Sequence, residues 1–454
     1  MTAEQRDILV IGAGAAGLAA AAALGRAGQS VLVLEARDRI GGRVWSRYEP
    51  ALPVPVELGA EFIHGASPET HAWLRSIGQA AIDTSGEHWA FVDGRLQRRR
   101  QSLLGQVRAA LEAGDVRSRP DTSLESFLTS ESGRTLSDEA RSMARAFVSG
   151  FDAADPERVS LHSVAEEWGA GGMLDSSQSR PAGGYGTLLL ALRAALDPAH
   201  VHLQLQTVVT DIHWSNRSVE VTGRRLSEAF RATARKVIVT VPLGVLKLSP
   251  QSEGAIRFAP ALETKQPAFD RLLAGPVLKV MLHFRRPFWE ALHDGRYADA
   301  SFVHAPGKMF PTFWTTLPAR TSLLNAWVAG PTAARLGDLP DGEVIRHALE
   351  CVAAVFSRDK ENLELEAAYV HNWHRDPFAR GAYSYVAVGG ARAREILATP
   401  LEGALFFAGE ATDTSGDATT VTGALRSGVR AALEVRQHLG VPKPPVSSAI
   451  GGHP

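Results

Sequence analysis

Residues 7 to 17, "DILVIGAGAAG", constrain this chain more than any other stretch. An apolar strand over residues 7–11 runs directly into Gly12, Gly14 and Gly17, spaced G-x-G-x-x-G, and an alanine-rich helix follows. A second strand, "SVLVLEA", then reaches Glu35 and Ala36. Each glycine answers a steric demand: Gly12 permits the tight turn, Gly14 lets backbone approach a pyrophosphate, and Gly17 lets helix and strand pack closely. The first helical turn, with Ala15 and Ala16, offers unpaired N–H groups and the positive end of the helix dipole to a phosphate. Glu35, about twenty residues beyond the glycines, stands where a carboxylate accepts ribose hydroxyls. The pattern predicts an α/β, Rossmann-like dinucleotide-binding domain.

At 454 residues the chain exceeds what a single core supports, so a second domain is expected. Lys and Arg number 48 against 49 Asp and Glu, which leaves no basic excess for a nucleic-acid partner. The one conspicuous basic run, Arg98, Arg99 and Arg100, reads as a solvated helix start. With Cys351 as the single cysteine, an intrachain disulfide, a cysteine-pair redox centre and a cysteine zinc site are all excluded, and no metal site is expected. The run from Ile8 to Gly25 carries no charge and could pass for a signal peptide or a membrane anchor. Its glycines argue against both, because they weaken a spanning helix. The expectation is a cytoplasmic protein with no membrane partner.

The glycine motif does not separate NAD from FAD, but the residues after it do. "LEARDRIGGRV" continues into Arg37, Arg39, Gly41, Gly42 and Arg43, a second glycine turn whose arginines could neutralise a pyrophosphate. Three more stretches belong with it: "VELGAEFIHG" (56–65), "KVIVTVPLGVLK" (236–247) and "LFFAGEATDTSGDATTVTGALRSG" (405–428). Together they resemble the flavin-containing amine oxidases, which include monoamine oxidases, polyamine oxidases and flavin histone-lysine demethylases, with the motifs nearest to polyamine oxidases. The resemblance covers nearly the whole chain. It implies FAD, with Gly59, Ala60, Glu61 and Phe62 passing under the flavin and Val209 giving backbone contacts to adenine. Gly409 and Glu410 would face the ribityl or phosphate chain. Thr420 and Val421 would sit at the flavin's pyrimidine edge, where a helix over about 421–439 aims its positive dipole end. The cofactor domain would be assembled from discontinuous segments, 1–80, 200–265 and 390–440. An α+β substrate domain, with a mixed sheet and helices, would take 81–199 and 266–389, and 441–454 would be a flexible tail. Residues 201–225 alternate like a hairpin or meander, Leu103, Leu104, Val107 and Leu111 recur at helical spacing, and Thr122 with Glu125 forms a capping box.

"GPVLKVMLHF" (275–284) raises a separate question. Val277, Lys279, Met281 and His283 alternate with four apolar residues, so a charge sits at the centre of an apolar strand. On this pattern alone Lys279 could simply snorkel to water. The family resemblance instead gives it the role of the lysine that faces flavin N5 through a water, where it passes a proton and helps oxygen react.

The resemblance also assigns an amine pocket. In "NWHRDPFARGAYSYVAVG" (372–389), Trp373 would pack against the flavin and Tyr383 would form one wall of an aromatic cage around the substrate nitrogen. The second cage position is Thr420, so the cage is half open. Ala382 stands where monoamine oxidases carry the cysteine that bonds the flavin, so FAD would be non-covalent. His64 would lie at the pocket mouth, and Glu61 is a candidate for attracting a distal ammonium or for contacting flavin only. Ordinary core roles remain open for Trp373, Tyr383 and His64. The activity implied is oxidation of a polyamine-type secondary amine by hydride transfer to flavin N5, with O2 reoxidation giving H2O2. Alternatives are a monoamine oxidase acting on a primary or cyclic amine, and a low-turnover flavoprotein with an interaction role.

Overall fold

The computed structural model describes residues 4–84, 86–98, 102–169 and 177–440. Two sheets organise it. The first has eight strands and is built around Glu4–Ile11, whose last residues are fully buried and which pairs in parallel with Val31–Leu34 on one side and Glu228–Val239 on the other. The end of Glu228–Val239 also pairs in parallel with Leu405–Phe407, so segments from both ends of the chain share one sheet. The helix Ala15–Gly25 is buried at every position except Ala23. It packs on the C-terminal helix Val421–His438, so closely that a Cβ on Gly428 would lie 2.2 Å from the Ala16 carbonyl oxygen. Burial on all sides explains why this stretch carries no charge and looks like a membrane segment. Among the described residues no helix is long and apolar enough to cross a membrane.

The second sheet has seven strands, in the order Leu365–Asn372, Val277–Phe284, Leu323–Ala329, Thr312–Thr315, Ala300–His304, Glu87–Val92, Arg95–Arg98. It is mixed, since Ala300–His304 runs parallel to Glu87–Val92 while its other pairings are antiparallel. Val277–Phe284 lies inside this sheet and is buried at every position but His283. Leu278, Val280, Leu282 and Phe284 join the core formed with the helix Asp341–Val355. Val277 and Met281 pack elsewhere, Met281 against Val56 and Leu58. The fold is thus the expected α/β architecture: a Rossmann-like sheet drawn from discontinuous segments, and a second, mixed sheet with helices.

Several local expectations shift. Residues 201–225 are not one meander, because Val201–Gln204 pairs in parallel with Val31–Leu34 and extends the first sheet. Only Thr207–Trp214 and Val219–Arg225 form the hairpin, with a register shift between Val209 and Asp211. The capping box is displaced by one residue. The helix Leu124–Thr129 is capped by Ser123, which accepts from the Ser126 amide at 3.1 Å, while Glu125 grips Arg145 through both oxygens at 2.6 and 2.8 Å. The Thr122 carbonyl instead accepts from the Leu161 amide at 2.8 Å, which ties Thr122 to the neighbouring segment. Val107 and Leu111 are buried on the helix Ser102–Ala113 as the spacing predicts. Arg98 ends a strand rather than starting a helix. Arg99, Arg100 and the tail 441–454 lie outside the described residues.

Candidate functional site

One cavity of about 510 Å3 is lined from both sheets, with Gly12, Glu35 and Val209 on its wall together with Lys279, Trp373 and Tyr383. Of the residues singled out in the sequence for cofactor or amine, Gly17 and Arg39 are not on that wall. Gly17 serves from behind, since a Cβ there would sit 2.0 Å from the Gly12 carbonyl oxygen. Arg39 lies over the Trp45 ring at 4.4 Å and donates to the Ile40 and Val44 carbonyls. Burial and the neighbouring Arg37 lower its pKa to about 10. The expectation that Arg39 neutralises a pyrophosphate therefore fails: its guanidinium is engaged by an indole face and by backbone.

The cradle is made of backbone. Gly12 has φ +107°, and a Cβ there would meet Thr240 Oγ1 at 2.6 Å. That hydroxyl is fixed on the turn, donating to the Ile11 carbonyl at 2.8 Å. Gly14 caps the helix Ala15–Gly25 in an extended conformation with no side chain bonded to the first turn, and it bridges to Gly41 of the second glycine turn. The amides of the first turn are thus left for a ligand. Glu35 accepts from the Ala13 amide at 2.8 Å and the Arg37 amide at 3.0 Å. Arg37 pairs with Asp376 at 2.6 Å and lies over Phe378 at 5.5 Å. Arg43 bonds Glu410 at 2.9 Å and the Ala382 carbonyl at 2.7 Å. Burial alone would raise the Glu410 carboxyl, but Arg43, Arg394 and Ser384 hold it below its ordinary value.

At the start of the helix Val421–His438, the Thr420 hydroxyl accepts from the Gly423 amide at 3.1 Å and donates to the Asp417 carbonyl at 2.6 Å. It is on the cavity wall, but its polar group is engaged in the helix cap. These groups fit a flavin dinucleotide. The glycine turns and helix start suit a pyrophosphate, Glu35 a ribose, and the Thr420–Val421 helix start the electron-poor ring.

Lys279 is 1% exposed, so it does not reach bulk water. Its ammonium pairs with Glu61 Oε2 at 2.6 Å, with the Gly59 carbonyl at 3.4 Å, and lies 5.3 Å from the centre of the Trp314 ring. Glu61 receives Arg180 Nε at 2.9 Å on its other oxygen and the Trp314 indole N–H at 3.0 Å. Burial would raise its pKa, yet Lys279 and Arg180 bring it below the ordinary value. With two cations already on it, Glu61 is not a free attractor for a distal ammonium, which corrects that option.

The Trp373 indole N–H donates to the Leu58 carbonyl at 2.9 Å, and its ring meets His371 edge-on at 4.2 Å. The Tyr383 hydroxyl donates to the Phe151 carbonyl. Burial, reinforced by Asp152 and Glu167, pushes this phenol well above its usual range, so it stays neutral. His64 meets Phe151 edge-on at 5.6 Å, and burial lowers its pKa to about 4. The imidazole adds no charge to the cavity at neutral pH. Arg180, Trp314, Asp152, Glu167 and Arg394 all line or serve this cavity and were not anticipated. Their segments carry no periodicity or motif that would have flagged them.

A backbone cradle for a dinucleotide, continuous with an aromatic chamber that holds a buried lysine, is the architecture of a flavin-dependent oxidoreductase. The chain belongs to a defined family of these: the profile of the flavin containing amine oxidoreductases matches residues 15–436. FAD is accordingly its cofactor. It is 31% identical over 463 residues to a lysine-specific histone demethylase 2 of Homo sapiens, covering 95% of this chain and 53% of that protein. It is 29% identical over 470 residues to polyamine oxidase 2 of Arabidopsis thaliana, covering 97% of this chain and 90% of that one. The chain spans about half the length of this demethylase and of a mouse lysine-specific histone demethylase 1B that it also matches. Among solved structures, a putrescine oxidase bound to putrescine aligns with a TM-score of 0.79 at 22% identity, over 96% of this chain and 100% of that one. A cyclohexylamine oxidase from Brevibacterium oxydans aligns with a TM-score of 0.77 at 22% identity, over 96% and 99%. At that identity, both likenesses speak for the fold.

Proposed function

We propose that the chain is an amine oxidase that oxidises a C–N bond of a polyamine-type secondary amine, with O2 as electron acceptor and H2O2 as product. The observation that carries this is Lys279, fully buried on the cavity wall and held by Glu61 among Trp314, Trp373 and Tyr383. FAD bound in the cradle supplies the two-electron oxidation. The chain's own residues do the rest. Trp373 and Tyr383 wall in the amine, exclude water and present ring faces that favour a cation on approach. Lys279 holds a water or proton next to the reacting centre, and Glu61 with the Gly59 carbonyl fixes where that ammonium points. Ala382 offers no thiol, so FAD is held by contacts alone. The cofactor domain would comprise 1–80, 200–265 and 390–440, and the substrate domain 81–199 and 266–389.

A cyclic or primary monoamine is the second reading. It is favoured by the apolar wall of Phe62, Phe302, Trp314 and Trp327, and by a cage that Thr420 leaves half open. Anaerobic titration of the yellow holoprotein with spermine, N-acetylspermine, benzylamine and cyclohexylamine separates the two. Bleaching of the visible flavin band by a polyamine, with recovery and peroxide on admitting air, is the expected result. Bleaching by monoamines alone would transfer the assignment to the second reading. A flavin that dithionite reduces and no amine does would end the amine-oxidase assignment.

A further inference from the structure

Most of the buried carboxyls on the cavity wall already have a cation. Glu35 lies beside Arg37, Glu61 between Lys279 and Arg180, and Glu410 against Arg43. Asp152 and Glu167 are the exceptions. Asp152 follows the helix Asp138–Gly150, and Glu167 ends the helix Leu161–Glu167. Both line the cavity. The two carboxylate oxygens of Asp152 are buried and meet no donor from the rest of the protein, and the side chain in reach of them is the Glu167 carboxyl, which can bond to Asp152 only by sharing a proton. Arg394 acts on Glu167 only through space, because its guanidinium hydrogen bonds go to Ser384. Burial first, then the charge of Glu167, pushes the Asp152 carboxyl well above its ordinary value. With Arg394 acting only through space and no ion pair made, the pair retains a proton. Two buried carboxyls that can satisfy each other only by holding a proton are expensive to keep, and they signal a site that takes its counter-charge from outside.

The backbone around Asp152 is arranged for this. Ala153 has φ +52°, a left-handed conformation that costs an alanine about 1 kcal/mol. It is held there by packing: a Cβ on Gly275 would come within 2.6 Å of both the Ala153 Cβ and its carbonyl oxygen. Strain of this kind persists where the surroundings over-determine it, commonly at functional sites. Next to the pair the wall is aromatic, with Phe147 and Phe151 stacked at 4.9 Å and the Phe151 carbonyl tied to the Tyr383 hydroxyl. A methylene chain suits that wall.

We propose that Asp152 and Glu167 form the receptor for a second ammonium group, so that the site takes a dicationic amine, an α,ω-diamine or polyamine, whose other nitrogen is the one oxidised. This rests on the amine-oxidase reading above. Binding to dithionite-reduced holoprotein, followed by anaerobic calorimetry, isolates recognition from oxidation. The probes are putrescine, cadaverine and spermidine against butylamine and pentylamine, which share carbon chains but carry one amine. The diamines should bind the wild type at least roughly 30-fold tighter than their monoamine counterparts. Asp152→Asn and Glu167→Gln should each remove most of that preference while changing monoamine binding less than about 3-fold. Asp152→Glu, which keeps the charge, should restore part of it, and flavin content with circular dichroism checks that each variant folds.

Equal losses for diamine and monoamine, or a wild type that does not prefer diamines, would overturn the proposal. The two readings fail separately. A reduced protein that selects diamines although no amine bleaches the oxidised flavin would keep the receptor and end the oxidase assignment. Bleaching by amines without diamine selection would do the reverse.

Discussion

At the cradle end of the cavity Glu35 and Glu410 lie beside Arg37 and Arg43, whereas near Tyr383 Asp152 and Glu167 lie beside each other. The first region is made of glycine backbone, helix starts and carboxylates whose charge is already matched. The second is made of side chains, and no ion pair matches its charge, since Arg394 acts on Glu167 only through space. A region that is electrostatically complete on its own is suited to a resident cofactor, which needs a preformed mould. A region with uncompensated carboxyls is suited to a passing cation, which supplies the missing charge on arrival and removes it on leaving. The Glu61–Lys279 pair lies between these types, a buried ion pair anchored further by Arg180 and Trp314.

The comparison breaks most visibly if the cradle turns out to tolerate side chains. Gly17→Ala places a methyl 2.0 Å from the Gly12 carbonyl oxygen, against backbone that cannot swing away. Overpacking of that kind should cost about 3 kcal/mol or more and strip the flavin from the protein. Flavin content after purification and thermal unfolding check it, and a variant that retains its colour and melting temperature would mean the mould is not rigid. Next in size is Lys279→Met, which removes the ammonium but roughly keeps the volume. Transfer of protons and electrons to oxygen should slow by about 100-fold, near 2.7 kcal/mol, while reduction by amine is much less affected. Stopped-flow measurement of the two half-reactions decides it. An unchanged rate of reoxidation would reduce Lys279 to a counter-ion for Glu61.

The same contrast explains what could be read from sequence. The cradle was legible because its requirements are local: a turn, a close approach and a helix start are encoded within residues 12–17 and 35–43. The strand through Lys279 was legible from its alternation. Its burial was not, because whether a face is wet depends on what packs over it, here the segment carrying Gly59 and Glu61. The partners of the Glu61–Lys279 pair were invisible for the same reason. Glu61 meets Arg180 across 119 positions and Lys279 across 218, and no local pattern encodes such meetings. Asp152 reads as one acid in "GFDAADP", and Arg180 as one base before a glycine pair. Thr122 and Ser123 show the finer limit. Both are competent caps, and the tertiary bond from Leu161 to the Thr122 carbonyl goes with Ser123 as the cap.

The smallest effect sharpens the comparison most, because it concerns a carboxyl that neither region neutralises. Glu57 is buried, and it accepts from the Ser46 hydroxyl at 2.8 Å and from the Tyr185 amide at 2.7 Å. Burial raises its pKa from 4.5 to about 7, although Ser46, Lys279 and Tyr185 pull the other way. The folded state therefore holds this proton more tightly than the unfolded chain does. Its contribution to stability is full below pH 4.5 and is lost progressively as pH rises from 4.5 to about 7. Above that the ionised group costs the fold on the order of 3 kcal/mol, since each tenfold difference in proton affinity between folded and unfolded chain is worth roughly 1.4 kcal/mol. Glu57→Gln keeps the shape and removes the titration, so the variant should match or trail the wild type near pH 4.5 and exceed it by about 2 kcal/mol above pH 7. Urea unfolding at both pH values, with FAD saturating throughout, measures the difference without a change in cofactor occupancy. If wild type and variant stay parallel across the range, Glu57 is already neutralised by something other than its two hydrogen bonds. Lys279 would be the nearest candidate, and the boundary between the matched and unmatched halves of the cavity would have to be redrawn to include Glu57 with Glu61.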